Sequence, residues 1–202
     1  MQSSAIFPLF YLPPISYFSA LKSHQFDILL EKHEHFPKQT YRNRASIASP
    51  DGILELTVPV IKGAKVHTPT KEVKISYDLK WQRLHWLSLQ ACYRSSAYFE
   101  FYEDGLAPFY HKKYDFLFDY NLELMDWIFK QLKVTPILTP TNEYEKGYPG
   151  VTDYRNEFNK KTIHLTETKS YFQVFSDRNP FMANLSIVDL LFNQGPQTKS
   201  YL

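Results

Sequence analysis

The hydrophobic period changes twice in the first thirty residues. Ala5 to Leu12 is an almost unbroken apolar run, which predicts a strand, and Pro13-Pro14 stops it. Ile15 to Lys22 then places Tyr17, Phe18 and Leu21 on one side of a short helix, and Phe26 to Leu30 is apolar again, as in a strand covered on both faces. Strand, helix, strand is a βαβ unit, and its crossover makes the two strands parallel. Further on, Tyr41 to Ala48 and Ile53 to Val60 flank Ser49-Pro50-Asp51-Gly52, whose Pro and Asp-Gly supply the dihedrals of a tight turn, so a hairpin is expected. Gly63 to Pro69 reads as a polar loop and Val73 to Ser76 as another short strand.

From Leu79 the spacing becomes helical. Trp81, Leu84, Leu87, Leu89 and Cys92 recur near that period, with Asp78 as the expected N-cap. Phe99 to Phe109 and Phe116 to Leu132 continue as two more helices; Leu117, Tyr120, Leu124, Trp127, Ile128 and Leu132 mark the apolar face of the last, with Asn121 and Glu123 off it. Pro136 to Thr139 reads as a strand returning to the sheet, Tyr171 to Phe175 alternates like a strand, and Ser186 caps a terminal helix that Gly195 ends. The fold class is α/β: a mixed, mostly parallel sheet begun by the βαβ unit, with a β-hairpin and a helical middle segment. Residues 1–202 form one domain on this reading, with a helical subregion at 78–133 and an exposed polar loop at 140–161.

Composition narrows the partners. Lys and Arg total 23 against 21 acids, too even for a large nucleic-acid surface, so basic character must be local. The N-terminal run MQSSAIFPLFYLPP lacks a charged start and is broken by prolines, which fits neither a signal peptide nor a membrane span; a cytoplasmic protein is expected. One cysteine, Cys92, excludes an intramolecular disulfide and is expected as a buried thiol. Aromatic residues make up 17% of the chain, 16 Phe, 15 Tyr and 3 Trp. Most belong to a core, but an excess of Tyr over Trp also suits sugar or nucleotide surfaces, where ring faces stack and hydroxyls bond.

The local basic character sits in Lys38-Gln39-Thr40-Tyr41-Arg42-Asn43-Arg44. Guanidinium groups hold phosphate or carboxylate by paired hydrogen bonds, Lys adds a mobile charge and Tyr offers a flat face. These residues either guard a strand edge or form one wall of an anion site at the carboxyl end of the second strand, where open α/β sheets bind ligands. Strand alternation sends Arg42 and Arg44 to one face and Tyr41 and Asn43 to the other, so at least one Arg serves packing or a structural ion pair. Glu34 lies beside this segment as a general base or as the partner of Arg42 or Lys38. His85, between Trp81 and Trp86, is a proton-transfer group or a buried structural histidine. Cys92 falls near the same helical face as His85, but nothing nearby lowers its thiol pKa. Glu31, His33 and His35 alternate as metal ligands can, yet no distant fourth ligand accompanies them, and no metal is expected. Asp189 and Asn193 lie four apart on the terminal helix; Asn193 caps a carbonyl or closes one side of the pocket. Walker, GxGxxG, GxSxG and HExxH signatures are absent.

Five blocks in order resemble the WbqC-like family along nearly the whole chain. They are Tyr11-Leu12-Pro13-Pro14-Ile15-Ser16-Tyr17-Phe18, the Lys38 to Arg44 segment, Leu56-Thr57-Val58-Pro59-Val60, Trp81 through His85-Trp86, and Leu185 to Asn193. The resemblance implies a place in O-antigen or other surface-polysaccharide loci, and a glycine or aminoacyl transferase role has been suggested for such proteins. It settles no catalytic residue, and the stretch Asn142 to Lys161 departs most from longer members. At fold level only, the βαβ start and cationic segment are similar to nucleotidyltransferases of the HIGH-motif group, whose two histidines are replaced here by Pro13-Pro14-Ile15-Ser16.

The expected function is therefore transfer from an activated sugar or a small glycine, aminoacyl or acyl donor. Lys38, Arg42 and Arg44 hold the donor's anionic group, with Asn43 and Asn193 beside it, Tyr41 and Tyr11 line the ring site, and His85 or Glu34 moves a proton. Such chemistry needs positioned charge more than a cofactor, and none is expected. The alternative is a non-catalytic partner docking on a glycosyltransferase complex, which would show as an exposed apolar patch.

Overall fold

The computed structural model describes residues 4–61, 68–158 and 168–202. Strands β1 (Ala5–Pro8) and β2 (Asp27–Glu31) pair in parallel through helix α1 (Ile15–Ser23), as the βαβ pattern requires. Pro14 occupies the N-cap of α1, where a missing N–H costs nothing, and Tyr17, Phe18 and Leu21 turn inward. The Tyr17 hydroxyl donates to the Pro8 carbonyl at 2.8 Å, tying helix to strand.

The hairpin consists of β3 (Arg44–Ser49) and β4 (Gly52–Thr57), and it forms its own two-stranded sheet. Its turn depends on Gly52 at φ 104°, where an L side chain would be strained. Helices α2 (Trp81–Tyr93), α3 (Phe99–Leu106) and α4 (Leu117–Gln131) follow, and β5 (Ile137–Pro140) returns beside β2. A two-residue strand, β6 (Thr152–Asp153), pairs with β1 and completes a four-stranded parallel sheet of order β5-β2-β1-β6. Helix α5 (Ile187–Gln194) follows; Ser186 Oγ accepts from the Val188 amide as its cap, and Gly195, at φ 51°, ends it and opens a 3-10 stretch, Gly195–Tyr201.

Five expectations change. Residues 41–43 are a turn and β3 starts only at Arg44, because Tyr11 N–H takes the Tyr41 carbonyl and Val58 N–H takes that of Asn43. Asp78 accepts from Ser76 Oγ and does not cap α2, whose N-cap is Lys80. Val73 to Ser76 makes only isolated bridges, with Val60 and Phe116 among its neighbours. Tyr171 to Phe175 has no strand partner among the described residues; its alternation marks burial of Tyr171 and Gln173 against α5. The 140–161 segment contains β6 and the buried Arg155, whereas its last three residues and Gly63 to Lys65, Val66 and His67 lie outside the described set.

The core is one connected cluster reaching from Ala5 to Phe192, and aromatic rings dominate it. Phe7 stacks on Tyr154 at 4.3 Å, Phe18 meets Phe129 edge-on, and Phe192 packs on Tyr93 and Phe99. Each such ring contributes roughly 1.5–3 kcal/mol by leaving water. No helix among the described residues is long and apolar enough to cross a membrane.

Candidate functional site

Two polar clusters meet the chain that runs from β2 to β3, one through the Tyr41 carbonyl and the other through Glu34 and Arg42. The first gathers Tyr11, His85, Tyr110 and Tyr120, all almost wholly buried. Leu12, at φ 40° and followed by Pro13, turns the chain out of β1, and the Tyr11 amide bonds the Tyr41 carbonyl at 2.9 Å. A non-glycine residue in that region is strained, so packing must hold it there. The Tyr11 hydroxyl lies 2.9 Å from His85 Nδ1 and 3.0 Å from the Tyr110 hydroxyl. Trp81 edges the His85 ring at 5.2 Å, and Tyr120 stacks on Tyr11 at 5.8 Å.

Burial pushes the His85 pKa down to about 4, while a hydrogen bond to the Thr57 backbone pulls the other way. The imidazole is therefore neutral at physiological pH. With the Thr57 carbonyl taking the ring N–H, Nδ1 is left to accept from Tyr11, and Tyr11 oxygen to accept from Tyr110. Burial, then the neighbouring phenols, raise the Tyr11 hydroxyl well above its ordinary range. Thr57 is the cross-strand partner of Arg44, so the half-buried Arg44 stands one residue pair from the His85 carbonyl acceptor. Arg44 Nε has no hydrogen-bond partner among the described residues.

The second cluster is ionic and lies at the carboxyl ends of the parallel strands. Arg42 Nε and Nη2 grip Glu34 at 2.6 and 2.7 Å, and Nη2 also donates to the Arg155 carbonyl. Arg155 in turn bonds Asp153 and reaches Glu31 at 3.2 Å, with Thr141 Oγ1 and the His33 amide donating to the Glu31 carboxylate. Burial pushes the Glu34 carboxyl up and Arg42 opposes that shift, whereas the Arg155 guanidinium holds Asp153 down. Beside this network a cleft of about 220 Å³ is lined by Leu29, Thr141, Glu143 and Tyr148 among others.

The structure thus joins Tyr11 to His85 and Glu34 to Arg42, and carries Tyr41 to Tyr11 through the backbone. Arg42 also lies over the Phe10 ring at 5.5 Å, so it packs as well as pairs. Burial first, then the Glu55 charge, push the Tyr41 hydroxyl up to about 12. Asn43 Nδ2 donates to the Val58 carbonyl, and Lys38 is exposed on the preceding turn. Asn193 stands apart on α5, where its amide donates to the Asp189 carbonyl. Glu31, the first of the alternating Glu31, His33 and His35, is taken up by Arg155, and no group of three metal-binding side chains occurs among the described residues. Burial, then the Asp189 charge, push the Cys92 thiol up, which disfavours a nucleophilic thiolate.

Several participants escaped the sequence reading. Asn121, expected off the apolar face of α4, is buried and donates to the Arg42 carbonyl at 2.8 Å. Tyr110 and Tyr120 were hidden among many aromatics, and Arg155 within a polar stretch; only the rarity of buried Asn and Arg marks such positions, and burial is not written in one sequence. Asp189 is fully buried and accepts from Tyr93 and Tyr171, each at 2.6 Å.

Comparison with known proteins agrees with the first four blocks of the pattern; the fifth, Leu185 to Asn193, lies beyond the family match. Rv1507c, an uncharacterized protein of Mycobacterium tuberculosis, is 26% identical over 231 aligned residues, covering 100% of this chain and 98% of the relative. No solved structure matches the chain. The model of the WbqC-like protein family matches residues 10–150, a span that holds β2, the hairpin, helices α1 to α4, and both the Tyr11–His85 and Glu34–Arg42 pairs, and the chain belongs to that family.

Proposed function

We propose that this protein is a transferase of surface-polysaccharide assembly that takes an activated sugar or a small acyl or aminoacyl donor. The observation that supports it best is the neutral His85, hydrogen-bonded to Tyr11 and linked through Thr57 to an arginine whose Nε lacks a partner among the described residues. Arg44 and Lys38 are the cations for the donor's phosphate or carboxylate. Arg42 and Glu34 position the segment, since each satisfies the other. In the transfer, the acceptor's lone pair forms the new bond, the donor's activating group leaves with the bonding electrons, and the acceptor's proton reaches His85 Nδ1 by way of the Tyr11 hydroxyl bonded to it. A base as depressed as this one relays a proton and does not retain it.

A thermal-shift panel of nucleotide-sugars, nucleotides and acyl and aminoacyl donors tests the reading. A ligand at 100 times its dissociation constant stabilises by about 2.7 kcal/mol, and Arg44→Gln should abolish the shift while leaving the unliganded melting temperature within 2–3 °C or so of wild type. No shift with any donor would sink it.

One observation favours a second reading, a docking partner of a glycosyltransferase complex. Leu84 and Leu87 on α2 are 60% and 48% exposed, and Ala91 continues their helical spacing. That reading expects no donor shift, and loss of association when Leu84→Asp and Leu87→Asp are combined.

A further inference from the structure

Helices α2 and α3 lie side by side and antiparallel. Gln90 Nε2 donates to Glu103 at 2.8 Å, Trp86 stacks at 5.5 Å on Tyr110 in the 3-10 turn Ala107–Tyr110 that prolongs α3, and Gln82 Nε2 donates to the Phe109 carbonyl. Helical spacing then fixes what each helix turns to solvent. On α2 the outer row is Leu84, Leu87 and Ala91, with Lys80 at its end, and Arg83 and Arg94 stand on the flank toward α3; all six are exposed. On α3, Glu103 faces α2, and Glu100, Asp104 and then Phe101 follow outward round the helix. Phe101, at 76%, is the most exposed large apolar side chain among the described residues. Arg94 lies 3.6 Å from Glu103, whereas Arg83, Glu100 and Asp104 form no ion pair among the described residues. A line drawn across the two helices therefore crosses an aliphatic row, a basic row, an acidic row and an aromatic ring, in that order.

We infer that this face pairs with itself, joining two copies of the chain about a two-fold axis that passes between the basic and acidic rows. Such an axis sets each point against the one equally far on its other side. Basic then meets acidic twice over, and Leu84 and Leu87 meet Phe101 of the second copy. Rows of one sign would have set like on like. An anionic membrane surface attracts the basic row and repels the acidic one, while a face with its charges split into halves is complementary to a partner split the same way. This chain is such a partner. Arginine and aromatic side chains are also those that interfaces collect. Helix α2 is about 20 Å long, and a patch of that length and two helices wide is at the small end of stable interfaces, so the dimer is a micromolar one. The inference gives the face of the docking reading a different occupant, and it is independent of the donor reading.

Sedimentation equilibrium of the protein from micromolar to submillimolar concentration tests this, and should show monomer and dimer in exchange. Leu87→Asp should weaken the dimer tenfold or more. Arg83→Glu and Glu100→Arg should each do the same, because each sets like charges together at both symmetric contacts. An equimolar mixture of these two charge variants should recover a heterodimer within threefold of wild-type affinity, since every contact then joins opposite signs. Recovery on mixing cannot come from misfolded chains. A protein that stays monomeric throughout overturns the inference, as does a dimer that none of the substitutions weakens, or a mixture that associates no better than its parts.

Discussion

At the scale of single residues, His85 and Arg42 illustrate opposite uses of burial. His85 is held neutral by desolvation, with its folded pKa near 4 against an ordinary 6.5. Between those values the unfolded chain binds a proton that the folded one refuses, so stability is complete above about pH 6.5 and falls as the pH drops toward 4. The full loss is roughly 3 kcal/mol. Chemical denaturation at pH 7 and pH 4.5 should show His85→Gln flattening this slope. Arg42 is buried as an ion, and its strength depends on Glu34 being there. Arg42→Met alone should cost about 3–5 kcal/mol because it strands a buried carboxylate, whereas Arg42→Met combined with Glu34→Leu should recover much of that loss. Urea titrations of Arg42→Met, Glu34→Leu and the double variant would read the difference, and a double-variant cost equal to the sum of the two single costs would show that the pair is not coupled.

At the scale of elements, what the sequence declared and what it concealed follow from physics. The βαβ unit was legible because Pro13-Pro14 punctuates it, and the hairpin because Gly52 needs a positive φ. Helix α5 was legible at both ends, since Ser186 is a cap by chemistry and Gly195 a terminus by backbone freedom. The Tyr171 to Phe175 segment misled because alternation records one wet and one dry side, and α5 can supply the dry side as well as a sheet can. The candidate site was legible only by fragments. The Arg42 and Glu34 cluster showed in local charge, but its meeting with Arg155 spans 113 residues and leaves no periodic trace. Gly195 gives the sharpest element-level test. A Cβ there would lie 2.5 Å from the Tyr98 ring, and the residue sits at φ 51°. Gly195→Ala should therefore destabilise by more than the ~1 kcal/mol of backbone strain alone, seen as a fall in melting temperature of several degrees.

At the scale of the whole molecule, the aromatic core reaches from β1 to α5 without a break, and polar tethers fasten the long C-terminal stretch to it. Asp189 is the principal tether, joining Tyr93 on α2 and Tyr171 on the passing chain to α5. Tyr171→Phe removes one short bond to a buried carboxylate and should cost about 1–3 kcal/mol in denaturant titration. Arg155 fastens the other exposed stretch: its guanidinium donates to the carbonyls of Glu145 and Lys146 and lies over the Tyr144 and Tyr148 rings. A protease must draw some ten residues of extended chain into its groove, and a backbone clasped this way cannot be drawn. Trypsin should therefore spare Lys146 in the native protein although that lysine is exposed, and Arg155→Met should turn it into an early cleavage point, cutting the chain into fragments of 146 and 56 residues that remain associated until denaturant separates them.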